Sequence, residues 1–375
     1  MKQPKIAIIT KNMLVGYGVD EIVNFMADRL WQNGSDITII TTKNEYANHK
    51  YKTISYTVPQ LKPLNEFWNS NFLIDLRSFL VFRRLLSHYD VIITVDPMHV
   101  AGALSRMLFR KKVLMYYLGV PPVRALNSFT RKVESIRQSL LWNLSFCFSN
   151  SLVTNSFYTK NLVSPLLRNR VSINYHGIDH LVCKDESNVA QFKEDLGVRD
   201  RKLILSVGRF STPYKGMAEV LRLFTALSEK QQDVFLLLVG RGSADNLGIQ
   251  SLPNNVKILA NVPFETLRTC FKACDIYCTC SRWEGFDIPI VAAQANGKPV
   301  VAYNVGAHSE VVANGETGFL VGNAAEFLNR LRLLVKDSEL RKKFGENAQA
   351  ATRIFTWRRS ALNFQKLINQ LLAES

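Results

Sequence analysis

Short apolar runs rich in β-branched residues alternate with helix-patterned stretches along most of the chain, and this alternation limits the fold more than any other feature. In the first half the runs fall at residues 6–9, 37–41, 91–95, 113–117, 152–154 and 171–175. Between most of them lie stretches such as residues 19–31, where Ile22, Val23, Met26, Ala27 and Leu30 share one helical face. Strands separated by amphipathic helices pair in parallel, because the helix must carry the chain back across the sheet. A charged, polar stretch at residues 180–201 interrupts the pattern and reads as a connection between domains. The pattern then restarts, with runs at 203–207, 235–239, 256–259, 276–278, 300–302 and 319–321. Helices are expected at 216–228, 265–273, 289–296, 325–335, 338–351 and 358–372. The expected fold class is α/β: two similar halves, each a parallel sheet covered by helices, with a cleft between them. A chain of 375 residues suits two such domains.

Composition narrows the class. A chain that is 47% hydrophobic and 21% charged is a soluble globular protein. Lys2 and Lys5 precede only residues 6–10, too short a run for a secretion signal. The longest uncharged stretch, residues 138–159, carries Asn143, Ser145, Ser149, Asn150 and Thr154, a polar load that argues against a membrane span. Cys270, Cys274, Cys278 and Cys280 are close together but run from a helix end into an apolar strand, with no Cys-x-x-Cys pair, so they read as small buried hydrophobes. Unpaired thiols without an export signal point to the cytoplasm. The net charge is +16, and residues 1–180 hold 22 Lys and Arg against 11 Asp and Glu, a net +11. Such a surface suits anionic lipid, nucleic acid or a phosphorylated acceptor.

The stretch 281–310 carries the most chemistry. Glu284 stands on a turn with Gly285, where a carboxylate can accept hydrogen bonds from two sugar hydroxyls while the glycine lets backbone approach a ligand. Asp287 is placed to cap a helix opened by Pro289, whose first free N–H groups attract phosphate. A second glycine turn with Gly306 ends in Glu310, which can bond ligand or local backbone. Arg209 ends the first strand of the second half and Lys215 begins the next helix, so two cations stand where a diphosphate could be neutralised as it leaves. Gly16-Tyr17-Gly18 precedes the first helix, but the third glycine of a dinucleotide fingerprint is missing and the second strand ends without an acid. No Asp-x-Asp, no His/carboxylate metal cluster, no Walker loop and no nucleophile elbow is present, so no metal or other cofactor is expected. The histidines are scattered and read as structural.

In order along the chain, these landmarks resemble the large retaining glycosyltransferase family with two facing Rossmann-like domains, the GT-B fold, family 4, also called glycosyl transferases group 1. The resemblance runs through Asn155-Ser156, Tyr175-His176-Gly177-Ile178-Asp179, the segment around Gly208 and Arg209, Leu238-Val239-Gly240, the Glu284-Gly285-Phe286-Asp287 block, residues 304–310, Gly315-Glu316-Thr317-Gly318 and Thr356-Trp357. It implies an acceptor-binding domain at 1–182, joined by a last helix that crosses back from 358–375, and a donor-binding domain at 183–357. It implies Arg209 and Lys215 on the donor diphosphate and Glu284 on the sugar. Gly16, Gly18, Gly208, Val262, Gly285, Phe286, Asp287, Ile288 and Glu310 fall on the donor side, and Tyr117 and Leu118 on the acceptor side.

Two positions depart from the family. Its second donor-block glutamate, which binds ribose hydroxyls, is Ala292 here, and Gln294 is no substitute because two helical positions turn a side chain by about 200°. Its first-domain histidine is Leu118, which cannot donate a hydrogen bond. A donor built on deoxyribose, such as a dTDP-sugar, would tolerate Ala292; a neighbouring side chain supplying the contact, or an impaired relative acting as a binding subunit, are the alternatives. The acceptor is expected to be a glycan or lipid-linked intermediate of cell-surface synthesis. Phe67, Trp68, Phe72, Leu73, Phe79 and Phe82, interleaved with Lys62, Arg77, Arg83 and Arg84, suit an anionic membrane surface on the cytoplasmic side. Arg106, Arg110, Lys111, Lys112, Arg124, Arg131 and Lys132 add to that basic surface. No nucleic-acid recognition motif accompanies these charges.

Overall fold

A computed structural model describes residues 3–15, 18–46, 50–57, 79–81, 83–126, 128–248 and 251–373. It divides into two compact units, Met1–His176 with Trp357–Ser375, and Gly177–Thr356.

The first unit is built on β1 (Lys5–Ile9), β2 (Asn12–Met13), α1 (Gly18–Gln32), β3 (Asp36–Thr41), β4 (Lys43–Asn44), β5 (Lys52–Ser55), β6 (Val91–Val95), α2 (His99–Phe109), β7 (Lys112–Tyr117), α3 (Phe129–Phe146), β8 (Ser151–Thr154), α4 (Phe157–Leu162) and β9 (Val171–Ile173). Seven of these strands form a sheet in the order β5-β3-β1-β6-β7-β8-β9, and each neighbouring pair is parallel. The central strands read as near-continuous Ile and Val runs because helices cover both faces of a parallel sheet; Ile6, Ile8, Val91, Ile92 and Ile93 are fully buried. β5 escapes the apolar pattern. It is an edge strand, part exposed on both faces, so its sequence alternates without a hydrophobic run.

The second unit comprises α5 (Ser187–Asp195), β10 (Lys202–Arg209), α6 (Met217–Ser228), β11 (Val234–Arg241), β12 (Val256–Ala260), α7 (Phe264–Ala273), β13 (Ile276–Thr279), α8 (Ile288–Ala295), β14 (Val300–Tyr303), α9 (His308–Val311), β15 (Gly318–Val321), α10 (Ala324–Lys336) and α11 (Ser338–Ala351). Its sheet runs β12-β11-β10-β13-β14-β15, again parallel throughout. On α6, Met217, Val220, Leu221, Phe224 and Leu227 recur at helical spacing and bury their side chains against the strands. Cys270, Cys274, Cys278 and Cys280 are buried in this unit as free thiols, which burial pushes up, to about 12 for Cys270 and Cys274.

The chain divides after His176 rather than after Val182. Ile178 N–H donates to Phe355 O (3.0 Å), Asn296 Nδ2 donates to Leu181 O (3.0 Å), and Arg268 Nε donates to His180 O (2.7 Å), all within the second unit. The polar stretch 180–201 is therefore folded structure and not a free connection: it contains α5, which packs on α7 with Lys272 paired to Glu186 (2.7 Å).

The last helix, α12 (Trp357–Ala373), returns to the first unit. Its buried face, Trp357, Ala361, Phe364, Ile368 and Leu371, packs beside α1, with Trp357 stacked on Phe25 (5.2 Å) and Phe364 edge-on to Tyr116 (4.9 Å). Each such large side chain contributes about 1.5–3 kcal/mol on burial. Lys112 Nζ donates to Leu371 O (2.6 Å), a cation at the negative end of the helix.

Asp20, near the start of α1, is buried and accepts a hydrogen bond from Leu14 N–H (2.8 Å). Burial pushes its carboxyl up from 3.8 to about 7, Leu14 N–H works against this, and Glu21 and Glu45 add to it. A carboxyl whose folded value is raised contributes stability that is complete below its unfolded value and lost as pH rises through 7. Asp20→Asn is therefore expected to raise the Tm above that of the parent at pH 8, with no gain at pH 4, as thermal melts at both values would register.

Candidate functional site

In an open parallel sheet, ligands bind beyond the carboxyl ends of the strands, where the strand order reverses. In the second unit that point lies between β10 and β13. The two chain segments leaving it carry the charges singled out by the sequence. Arg209 closes β10, and its exposed guanidinium donates through Nη2 to Tyr214 Oη (3.2 Å). A tight turn then brings Lys215 across to the loop that follows β13. Gly216 permits this: its φ is 65°, and a Cβ there would stand 2.2 Å from Cys280 O.

Lys215 Nζ pairs with Glu284 Oε1 at 2.6 Å, with the two side chains only 17% and 8% exposed. Ser281 Oγ donates to the same oxygen at 2.7 Å. Oε2 takes no hydrogen bond from the described residues, so one carboxylate oxygen remains for an incoming hydroxyl. Burial draws the Lys215 ammonium down, but Glu284, then Asp287, outweigh it and hold it above the ordinary lysine value. Lys215 is thus a fixed positive charge at the switch point.

The Glu284 loop is clamped from three sides. Arg282 N–H donates to Tyr214 O (2.7 Å), and the Trp283 ring meets Tyr214 edge-on (5.9 Å). Ala307 N–H donates to Glu284 O (3.0 Å), and Gly306, with φ 57°, would place a Cβ 2.1 Å from that oxygen. The second glycine turn of the sequence is therefore the floor on which Glu284 rests.

Asp287 caps α8, accepting from Ile290 N–H (3.2 Å) in a left-handed backbone conformation with φ 71°. Its other oxygen meets His308 Nε2 at 2.9 Å, while His308 Nδ1 meets Tyr303 O at 2.7 Å. A carboxylate and a carbonyl both only accept, so both ring nitrogens donate and His308 is an imidazolium. Burial pulls His308 down and Asp287 up, but their bond reverses both, raising the histidine and lowering the acid. Sequence reading set His308 aside as structural and gave Ser281 no part; the first is tied to a donor-block residue and the second to Glu284.

The other predicted residues distribute as follows. Gly208 lies in β10, and Gly285, buried Phe286 and half-buried Ile288 lie between Glu284 and the first turn of α8. Val262 follows β12, just after Asn261, whose Oδ1 accepts from Gly242 N–H (3.1 Å). Glu310 sits in α9, behind the Gly306 turn. Ala292 is fully buried in α8. Gln294, also buried, spends its Nε2 on Val311 O (2.9 Å). Gly18 is exposed at the start of α1, whereas Gly16 lies outside the described residues. Of the aromatic and basic segment 61–84, only Phe79, Leu80, Val81, Arg83 and Arg84 are described.

The first unit reverses strand order between β1 and β6. Directly after β6 comes Asp96, an acid that sequence reading passed over because nothing but its place after a strand marks it. Asp96 Oδ2 accepts from Leu118 N–H (3.0 Å), Oδ1 is bonded to His99 Nε2, and Gly119 N–H also reaches the carboxylate. Burial raises its pKa, opposed by His99 and the two N–H groups. Its side chain is 12% exposed. Tyr117 closes β7 beside it and Leu118 follows, both buried, so the side chain of Leu118 contributes only bulk while its backbone orients an acid.

Against known proteins, residues 188–351 match the family described as glycosyl transferases group 1. The chain is 33% identical over 161 residues to the phosphatidyl-myo-inositol mannosyltransferase of Mycobacterium leprae, covering 42% of this chain and 43% of that one. The family likeness therefore lies within the second unit and spans less than half of the chain. Solved structures extend the likeness in fold to the whole chain. Sucrose-phosphate synthase from Thermosynechococcus elongatus superimposes with a TM-score of 0.83 at 19% identity, covering 100% of both chains. Anabaena HepE, solved with UDP and glucose, gives 0.79 at 20% identity over 98% of this chain and 100% of that one. The charged cluster at the β10–β13 switch point lies within the segment that matches the family.

Because Gly306 supports Glu284 by its lack of a side chain, Gly306→Ala combines backbone strain with a steric clash. It is expected to cost roughly 2–4 kcal/mol in denaturant unfolding. A cost under about 0.5 kcal/mol would show that the loop does not rest on this turn.

Proposed function

We propose that the protein is a retaining glycosyltransferase that moves a sugar from a nucleotide-sugar donor to a glycan or lipid-linked acceptor, without a metal ion. The observation that carries this reading is Lys215 held against Glu284, with Arg209 beside them, at the carboxyl ends of β10 and β13. Two cations at one strand end suit a diphosphate, whose charge grows as the bond to the anomeric carbon breaks. The free oxygen of Glu284 suits a hydroxyl of the sugar. In the transfer the acceptor oxygen bonds to the anomeric carbon on the face the diphosphate leaves. The departing phosphate oxygen takes the acceptor proton, so no protein nucleophile is required. Catalysis then rests on stabilising the leaving group and aligning the acceptor.

Arg209 is exposed, and its substitution spares the core. Arg209→Ala is expected to leave the Tm unchanged and lower kcat/KM roughly 100-fold or more in a transfer assay. Full activity in that variant would sink the role given to the cation pair.

Ala292 offers no oxygen or nitrogen to a ribose hydroxyl, and in Gln294 Nε2 is already engaged while Oε1 is buried out of reach of solvent. This favours a donor whose nucleoside lacks one hydroxyl, such as a dTDP-sugar. Thermal shift across a panel of nucleotide sugars should give its largest rise with dTDP-sugars, since a ligand that binds only the folded state stabilises it. A strong preference for UDP- or GDP-sugars would end the deoxyribose reading and leave the transferase reading in place.

On the acceptor side Asp96 takes the part that Leu118 cannot, orienting the attacking hydroxyl. Asp96→Asn is expected to lower kcat while the donor-induced thermal shift stays at the parental value. A variant that loses donor binding and turnover together would refute that assignment. If Asp96, Arg209 and Glu284 can all be replaced without effect on a protein that still binds sugar nucleotides, the chain is a binding subunit, a reading that Leu118 and Ala292 favour. The proposed setting is the cytoplasmic face of a membrane; no helix among the described residues is long and apolar enough to cross one.

A further inference from the structure

Helix α3 has two apolar faces, and only one of them is buried. Trp142 and Phe146 point into the core of the first unit. On the opposite side Phe129, Val133, Ile136, Leu140 and Leu144, spaced by four, three, four and four residues, fall within about one quarter of the helical circumference at 100° per residue. They are between 49% and 79% exposed. Single exposed apolar residues are ordinary, but a continuous stripe along an 18-residue helix is not. Arg131 and Lys132 stand in its first turn, and its one acid, Glu134, is paired with Arg137. Helix α2 packs alongside; its last turn carries Arg106, Met107 and Leu108 and is followed by Arg110, with Met107 and Leu108 more than half exposed.

We infer that the outer face of α3 is the surface on which the protein docks to an anionic lipid bilayer. The stripe would enter the boundary between head groups and acyl chains, and the flanking arginines and lysines would meet the head groups. A second copy of the chain fits the stripe less well. Two surfaces from a region of net +11 repel each other, whereas an anionic bilayer attracts both the charge and the apolar side chains. The inference rests on the membrane setting of the proposed function but not on its sugar chemistry, and it assigns the contact to residues that the aromatic segment 61–84 does not include.

The test is flotation of the full chain with vesicles of phosphatidylglycerol in phosphatidylcholine at low salt, compared with phosphatidylcholine alone. The parent should float with the anionic vesicles and remain behind with the neutral ones. The triple variant Ile136→Ser, Leu140→Ser, Leu144→Ser keeps every charge and alters only exposed positions. It should keep the parental Tm and lose at least tenfold in the bound fraction. Equal flotation of the variant, or no flotation of the parent, would overturn the inference. So would a dimer of the parent in lipid-free sedimentation that the variant dissociates. The nucleotide-sugar thermal shift of the variant should match the parent; its absence from both proteins would count against the proposed function and leave the docking surface standing.

Discussion

The ion pair between Lys215 and Glu284 ties together the two chain segments that leave the switch point of the second sheet. Without the lysine, Glu284 would be a nearly buried carboxylate held by a single serine hydroxyl; without the glutamate, Lys215 would be a largely buried ammonium that keeps Asp287 as a counter-charge but has lost its direct partner. Removing one partner of such a pair typically costs several kcal/mol, because the other is left buried and uncompensated. The pair therefore positions the loops and supplies the charge, and the glycines beneath it are the steric condition for its geometry. Gly216 and Gly306 both lie where a single methyl group would strike a neighbouring carbonyl. What looks in the sequence like two ordinary turns is a close approach of three segments of backbone.

A second buried charge pair, Asp287 with His308, holds the start of α8 to the segment after β14. The two pairs are neighbours in chemistry as well as in sequence, since Asp287 also contributes to keeping Lys215 protonated. Lys215, Glu284, Asp287 and His308 thus form a small electrostatic unit with charges of both signs. Ala292, fully buried in α8, adds no charge to this unit.

Much of the fold was legible because parallel sheets bury both faces and write themselves as apolar runs; the predicted runs at 91–95 and 203–207, for instance, lie within β6 and β10. Elements at the edge or the surface were less legible. β5 has too few apolar residues to stand out, and the polar stretch 180–201 passed for a connection although backbone and side-chain bonds fold it into the second unit. Arg209, Lys215 and Glu284 could be picked out as a group because each follows a strand or opens a helix in a recognisable order. Asp96, Ser281 and His308 could not, since an acid, a serine and a histidine become informative only through the atoms they touch.

By itself, then, the sequence determined the α/β class, the two sheets and the helix that closes the chain, and it singled out Arg209, Lys215 and Glu284, because periodicity and local order are properties of the chain. Only the tertiary structure decided that Lys215 binds Glu284 at 2.6 Å, that both bonds to that carboxylate fall on one oxygen, and that Leu118 serves Asp96 through its backbone. It also decided that α3 keeps an apolar stripe in solvent. Distance, burial and the direction of each hydrogen bond arise when remote segments meet, and no spacing along the chain encodes them.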